Sequence, residues 1–369
     1  MIFFNGEVIT VDRLDSVADS VCVKGNKIIA VGNFHSLQHL IGPNTERIDL
    51  EGRSLLPGFN DAHLHLVLYG VNQLAISCKD PKIDSVEALL NALKEKAKTT
   101  PPGRWIRAWG FNETKVKEQR YPTLEELDIV SKVHPIIISR TCGHICVLNS
   151  AALKLANIDQ HTPDPQGGVI EKDSKGNLTG RLIEAACMEM NNIATYSQDE
   201  LLKAIEIANR DFIEAGITSI GEAGTFNADS FRALQFASQK GILQLRVYAL
   251  LGSLNDSRDF TERILASRAL TGTGDEKFKL GPVKLFTDGS STGPTIATRK
   301  GYTSDPENNG ILYYSEEEIY NVLGLAHKLG YQITVHAQGD KAIEMYLNVV
   351  ERALNEAPRK DHRHRIEHA

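Results

Sequence analysis

The segment from Leu55 to Leu66, LLPGFNDAHLHL, is an apolar run broken by Pro57-Gly58 and followed by His63 and His65, one residue apart. In an extended strand alternate side chains share a face, so the two imidazoles point the same way, roughly 7 Å apart along the chain, and can share one metal ion. Such an ion takes three or more protein ligands. Further candidates fall late in later strand-like runs: Lys284 in VKLFTDG, His336 in ITVHAQGD and His368 in RIEHA. Neutral imidazole suits zinc, iron, nickel and copper better than magnesium or calcium. Lys284 is the odd member, because an ammonium beside a divalent cation is unfavourable and its pKa should fall there.

The elements that must position these residues follow from the pattern. Residues 1–56 alternate short β-like runs (EVITV, SVCV, KIIAVG) with Asn-Gly and Gly-Asn punctuation, which predicts a small antiparallel β unit without a helix. A helix is predicted from Ser85 to Lys98, with Asp84 as its cap. Residues from about 100 to 198 are irregular and are expected to be an insertion: TLEELDIV and NSAALKLA as short helices, PIIISR as a buried strand, and GGVIEKDSKGNLTGRLIEAA as a hairpin. From Asp199 onward strands of four to eight residues alternate with longer helices, the rhythm of βαβ units and a parallel sheet. No strand is followed by GxGxxG or GxxxxGK[ST], so the phosphate-cradling loops of nucleotide-binding sheets are absent and a barrel is favoured.

With LLPGFNDAHLH as the first strand, ITSIGEAG, QLRVYALL, VKLFTDG, ITVHAQGD and HRIEHA become strands two to six. A barrel enzyme assembles its site at the carboxyl ends of its strands, so residues distant in sequence converge there.

The motifs LLPGFNDAHLH, GFNE, TCGHICVLNSAAL, GGVIEKDSKGNLTG, VKLFTDGS, VHAQGD and RIEHA span the chain from end to end. Together they resemble the amidohydrolase superfamily and, within it, the YtcJ-like metal-dependent hydrolases that include N-substituted formamide deformylases. The resemblance implies an α/β fold, a (β/α)8 TIM-type barrel over residues 57–369 with a small N-terminal β domain over residues 1–56. It implies one or two divalent ions, zinc first with iron or manganese as alternatives, and hydrolysis of an amide, formamide or cyclic-amide C–N bond by metal-activated water. Carried over by position, His63 and His65 are the first-strand ligands, Lys284 a carboxylated lysine bridging two ions, and His336 and His368 the fifth- and sixth-strand ligands. Lys284, His336 and His368 then act in catalysis, and His144 of TCGHICVLNS lies on the substrate side.

The family continues to an eighth strand whose aspartate binds metal and moves the proton, whereas this sequence stops at Ala369, one residue past His368. The expectation is a C-terminally truncated product, unless another chain completes it. A non-catalytic fragment or scaffold therefore stands as the rival to the hydrolase. A deaminase is less favoured, because Gly339 stands where such an enzyme carries a glutamate, three residues after His336.

Other polar residues have plainer readings. Asp288, in TDGS, is a candidate substrate contact or a turn cap. Cys142 and Cys146 flank His144, but packing explains the trio better than zinc does. His327 reads as a surface residue of a helix, and His362 and His364, among arginines, as solvated; Glu184 and Glu222 have no decisive spacing.

Net charge is −6 with lysines and arginines scattered, which argues against nucleic acid as a partner. The start MIFFNGEVITVDRLD lacks a signal-peptide pattern, no run reaches the roughly 18 apolar residues of a membrane span, and the five cysteines make no CxxC pair. The expectation is a cytoplasmic protein with a small-molecule substrate and no membrane partner, with a homo-oligomer left open.

Overall fold

The computed structural model describes residues 1–369 apart from 144, 166–167, 253–256, 290 and 292–294. The chain divides into two compact units, residues 1–60 with 216–218, and residues 61–215 with 219–369.

In the smaller unit, strands Lys27–Gly32, Ser20–Lys24, Ile2–Phe4 and Arg47–Asp49 form one sheet in that order, and Val17–Ala18, Glu7–Ile9 and Ser54–Leu55 form a second. Its core is small: Ile2, Cys22 and Leu37 in one cluster, Val8, Val21 and Leu50 in another. One expectation fails here, because the unit does contain a short helix, Phe34–Leu37. The Gly32-Asn33 punctuation is its start and not merely a turn: the Asn33 side chain accepts the His35 N–H and caps it.

The larger unit is organised by six strands that neighbour one another in chain order: β1 (Phe59–Leu64), β2 (Ile217–Glu222), β3 (Arg246–Leu251), β4 (Phe278–Phe286), β5 (Ile333–His336) and β6 (Arg365–Glu367). The pairs from β2 through β6 are parallel. The last strand curls back to the first, since Arg365 Nη2 donates to Ala62 O at 3.3 Å. The result is a nearly closed parallel barrel. β2 lies hard against β1: a Cβ on Gly221 would stand 2.3 Å from Ala62 O, so only glycine fits. Strand interiors are apolar, with Val247, Ala249, Val283, Leu285, Ile333 and Val335 all buried, as parallel strands covered on both faces require.

The covering helices follow the sequence rhythm: Gln198–Glu214, Ala228–Gln239, Ser257–Ser267, a segment over 316–328, and Asp340–Glu356. Ser197 and Glu200 cap the first reciprocally, and Ser315 and Glu318 do the same for the fourth.

Six further strands, from Ile76–Ser77 to Leu178–Glu184, form a mixed sheet in the order Gly168–Lys172, Leu178–Glu184, Ile145–Leu148, Ile136–Arg140, Ile106–Phe111 and Ile76–Ser77. Helix Val86–Thr99 buries Val86, Leu89 and Leu93 in a cluster with Ile106, Phe111, Ile136 and Ile138 from this sheet. Its cap is Ser85, whose side chain accepts the Ala88 N–H, and not Asp84, which pairs with Lys117 at 2.7 Å.

His327 corrects another reading. It is buried, 2% exposed, because the arginine-rich turn before β6 folds back over it. His364, far from being solvated, accepts the Ile333 N–H at Nδ1 and donates from Nε2 to His327 Nδ1 at 2.8 Å. His327 Nε2 then donates to Ala357 O at 2.7 Å, which fixes both tautomers. Among the described residues, no helix is long and apolar enough to cross a membrane.

Candidate metal centre

The carboxyl ends of β1, β4, β5 and β6 bring the sequence candidates together. The ring of His63 stands 5.3 Å from that of His65 and 4.3 Å from that of His368, and His368 stands 4.6 Å from His336. Four imidazoles from three strand ends thus form one contiguous cluster, with Lys284 buried in the barrel wall beside it.

Three of the four rings have one nitrogen already engaged. His63 Nδ1 pairs with Glu367 Oε2 at 2.5 Å, His65 Nδ1 donates to Gly224 O at 3.1 Å, and His336 Nε2 donates to Gly289 O at 2.7 Å. Those bonds leave the lone pairs on His63 Nε2, His65 Nε2 and His336 Nδ1. His63 Nε2 is buried without a hydrogen-bond partner among the described residues, the state of an atom built to meet something other than protein.

The electrostatics favour neutral rings. Burial, then the nearby Lys284 charge, pushes His65 down to about 4. Burial, then His336 and His63, takes His368 to about 4, and burial lowers His336 as well. Neutral imidazole is the form that ligates a metal.

Lys284 Nζ donates to Ala223 O at 2.7 Å, and burial pushes its pKa down to about 8 against the pull of Glu367 and Glu222. Glu367 is held at about 2: burial would raise it, but the His63 bond, the Arg365 guanidinium and Thr334 outweigh that. Glu222 moves the other way, to about 8, because burial exceeds the help of the Leu66 and Val67 N–H groups and of Lys284.

Asp288 is buried and holds the loops beside the cluster. Its carboxylate accepts the N–H groups of Ala297 (3.0 Å), Gln338 (3.1 Å) and Gly339 (2.8 Å), with Oδ1 3.7 Å from His336 Nε2. His144 lies outside the described residues. Of the cysteines flanking it, Cys142 is exposed and Cys146 is buried.

Sequence reasoning missed Glu367 and gave Glu222 no role. Each is the last residue of a strand beside one that ends in candidate ligands, and a carboxylate at that place in an apolar strand was the available signal.

A cavity of about 430 Å³ opens nearby, lined by Leu68 and Asn72 of the helix that follows His65, by Phe226 and Asn227 of the segment after β2, and by Trp109 and Arg140 of the mixed sheet.

Among the described residues, no three His, Cys, Asp or Glu side chains already stand as the ligand set of an ion. The fit to a metal rests on the unpartnered His63 Nε2, on the neutral rings around it and on the tautomers that the Gly224 and Gly289 carbonyls fix for His65 and His336.

Residues 46–369 match the amidohydrolase family, Amidohydro_3. The chain belongs to the amidohydrolase family. This amidohydrolase is 30% identical to the N-substituted formamide deformylase of Arthrobacter pascens, over all of this chain and 68% of that one. It is also 30% identical to the putative amidohydrolase YtcJ of Bacillus subtilis (strain 168), with the same coverage. Among solved structures it is similar to an uncharacterized metal-dependent hydrolase from Pyrococcus horikoshii, at a TM-score of 0.80 and 26% identity, over 95% of this amidohydrolase and 68% of that chain.

Proposed function

We propose that this amidohydrolase is a metal-dependent hydrolase that cleaves a non-peptide C–N bond, of the amide, formamide or cyclic-amide class, in a small cytoplasmic molecule. The observation that carries the reading is the buried, unpartnered Nε2 of His63 at the centre of the histidine cluster. The bond class is taken from the similarity to a formamide deformylase. The six-stranded barrel is read as the larger part of a (β/α)8 barrel.

His63 and His65 through Nε2, His336 through Nδ1, and His368 would hold one or two divalent ions, zinc first. Such an ion, when bound, supplies Lewis acidity that polarises a carbonyl and water. The chain's own residues do the rest. Glu367 accepts the His63 Nδ1–H and keeps that ring's lone pair on Nε2, and the Gly224 and Gly289 carbonyls do the same for His65 and His336. Lys284, with its pKa lowered by burial, has a neutral amine fraction near pH 8 that could add carbon dioxide at Nζ and, on releasing one proton to solvent, become an anionic carbamate ligand.

The test is a comparison of chelator-treated protein with protein reloaded with zinc, iron(II) or manganese, assayed for amine release from N-substituted formamides, N-acyl amines and cyclic amides. Turnover should appear on reloading and be lost in His63→Ala. Metal-loaded protein inert toward all three classes would overturn the assignment.

A further inference from the structure

Three consecutive residues at the end of β2 each hold a different part of the site. Glu222 Oε2 accepts the Leu66 N–H at 2.6 Å. The Ala223 carbonyl accepts from Lys284 Nζ at 2.7 Å, and its N–H donates to Leu64 O at 2.7 Å. The Gly224 carbonyl accepts from His65 Nδ1 at 3.1 Å, and Gly224 reaches that position at φ +132°, a backbone state that other residues rarely adopt.

The Glu222 contact is the informative one. Helix Leu66–Leu74 begins directly after His65, and His65 at its cap position offers no side-chain acceptor. The first N–H groups of a helix need one, and they carry the positive end of its dipole. A carboxylate from the neighbouring strand, fully buried, meets that need. Its second oxygen, Oε1, has no hydrogen-bond partner among the described residues and lies 3.9 Å from His65 Nδ1.

From this geometry we propose that Glu222 is a positioning residue for His65. By fixing the start of the helix that follows, it sets the direction in which the His65 ring presents Nε2. The inference rests on the metal-centre reading above. A rival role, direct ligation through Oε1, would require the carboxylate itself. Positioning requires only an acceptor at the right reach.

Two variants of the full chain separate these roles, followed by cobalt(II) titration with visible absorption and by thermal melting. Glu222→Gln keeps the length and one acceptor oxygen but removes the ionisable carboxyl; it should bind cobalt with the affinity and band shape of the wild type. Glu222→Asp keeps the carboxyl but is one methylene too short for the Leu66 N–H. It should lose about 10- to 100-fold in affinity, the usual effect of removing an outer-shell partner, and show an altered band.

An Asp variant indistinguishable from wild type, or a Gln variant that binds weakly or with an altered band, overturns the inference. The near-isosteric Gln variant can still overturn the inference where the Asp variant does not fold. A folded wild type that takes up no cobalt is a different failure: it removes the metal-centre reading, and this inference with it.

Discussion

His63 Nδ1 and Glu367 Oε2 stand 2.5 Å apart, so a side chain of the first barrel strand is bonded to one of the sixth across 304 residues of sequence. The same carboxylate accepts from Arg365 Nε at 2.6 Å and from Thr334 Oγ1 at 2.9 Å through its other oxygen. Closure of the barrel and aim of the imidazole are therefore one arrangement.

Glu367→Gln should weaken metal binding by about 10- to 100-fold, because an amide cannot accept from His63 on one side and from Arg365 and Thr334 on the other. Chelator competition measures this. Unchanged affinity would show that Glu367 does not aim His63.

Asp288→Ala should destabilise the fold by about 3 kcal/mol, since it leaves the Ala297, Gln338 and Gly339 N–H groups without their acceptor. Denaturant unfolding reads the loss directly. A change below about 0.5 kcal/mol, the surface range, would return Asp288 to the role of a ligand contact.

The six barrel strands were legible because buried parallel strands are short apolar runs between amphipathic helices, and His63, His65, Lys284, His336 and His368 stood out as polar groups at the ends of such runs. The mixed sheet was not: its strands follow their order in the chain except that Leu178–Glu184 lies inside Gly168–Lys172, and nothing local states that Ile145–Leu148 pairs with both Ile136–Arg140 and Leu178–Glu184. Glu367 was passed over, and Glu222 was left without a role, for a related reason: a carboxylate at a strand end has no legible partner until its neighbours are known. Asp288 and His327 show the limit of composition, since both are buried polar residues that bond backbone groups no local pattern places beside them.

His327→Leu should cost about 2 kcal/mol by leaving Ala357 O and His364 Nε2–H unpaired. The pair also makes stability pH-dependent. Burial, with His362 and Arg359 nearby, takes His364 from its ordinary 6.5 to about 3. Between those values the unfolded chain binds the extra proton, so stability falls as pH drops below about 6.5. Melting curves of wild type and His364→Leu from pH 7.5 to 5 should show a shallower acid slope in the variant; parallel slopes would contradict the neutral pair.

Glu113 meets Arg140 through two bonds of 2.9 Å, and hydrogen bonding from Arg140 holds its pKa at about 2. The folded state is then the weaker proton binder between pH 4.5 and 2, so the pair's contribution is complete above pH 4.5 and is lost as pH falls through that window. Glu113→Gln should cost about 1 kcal/mol at pH 7, a modest figure for a pair still partly in water. Denaturation at pH 7 and pH 3.5 should show the gap between wild type and variant narrowing in acid; a gap that widens would mean the pair is not ionised.

The central claim is that the histidine cluster holds metal. Elemental mass spectrometry on protein purified without chelator, beside His63→Ala and His336→Ala, tests it most directly. The account predicts about one or two equivalents of zinc, iron or manganese in the wild type and their loss in both variants. A folded wild-type chain free of metal, or variants that retain it, would contradict the account.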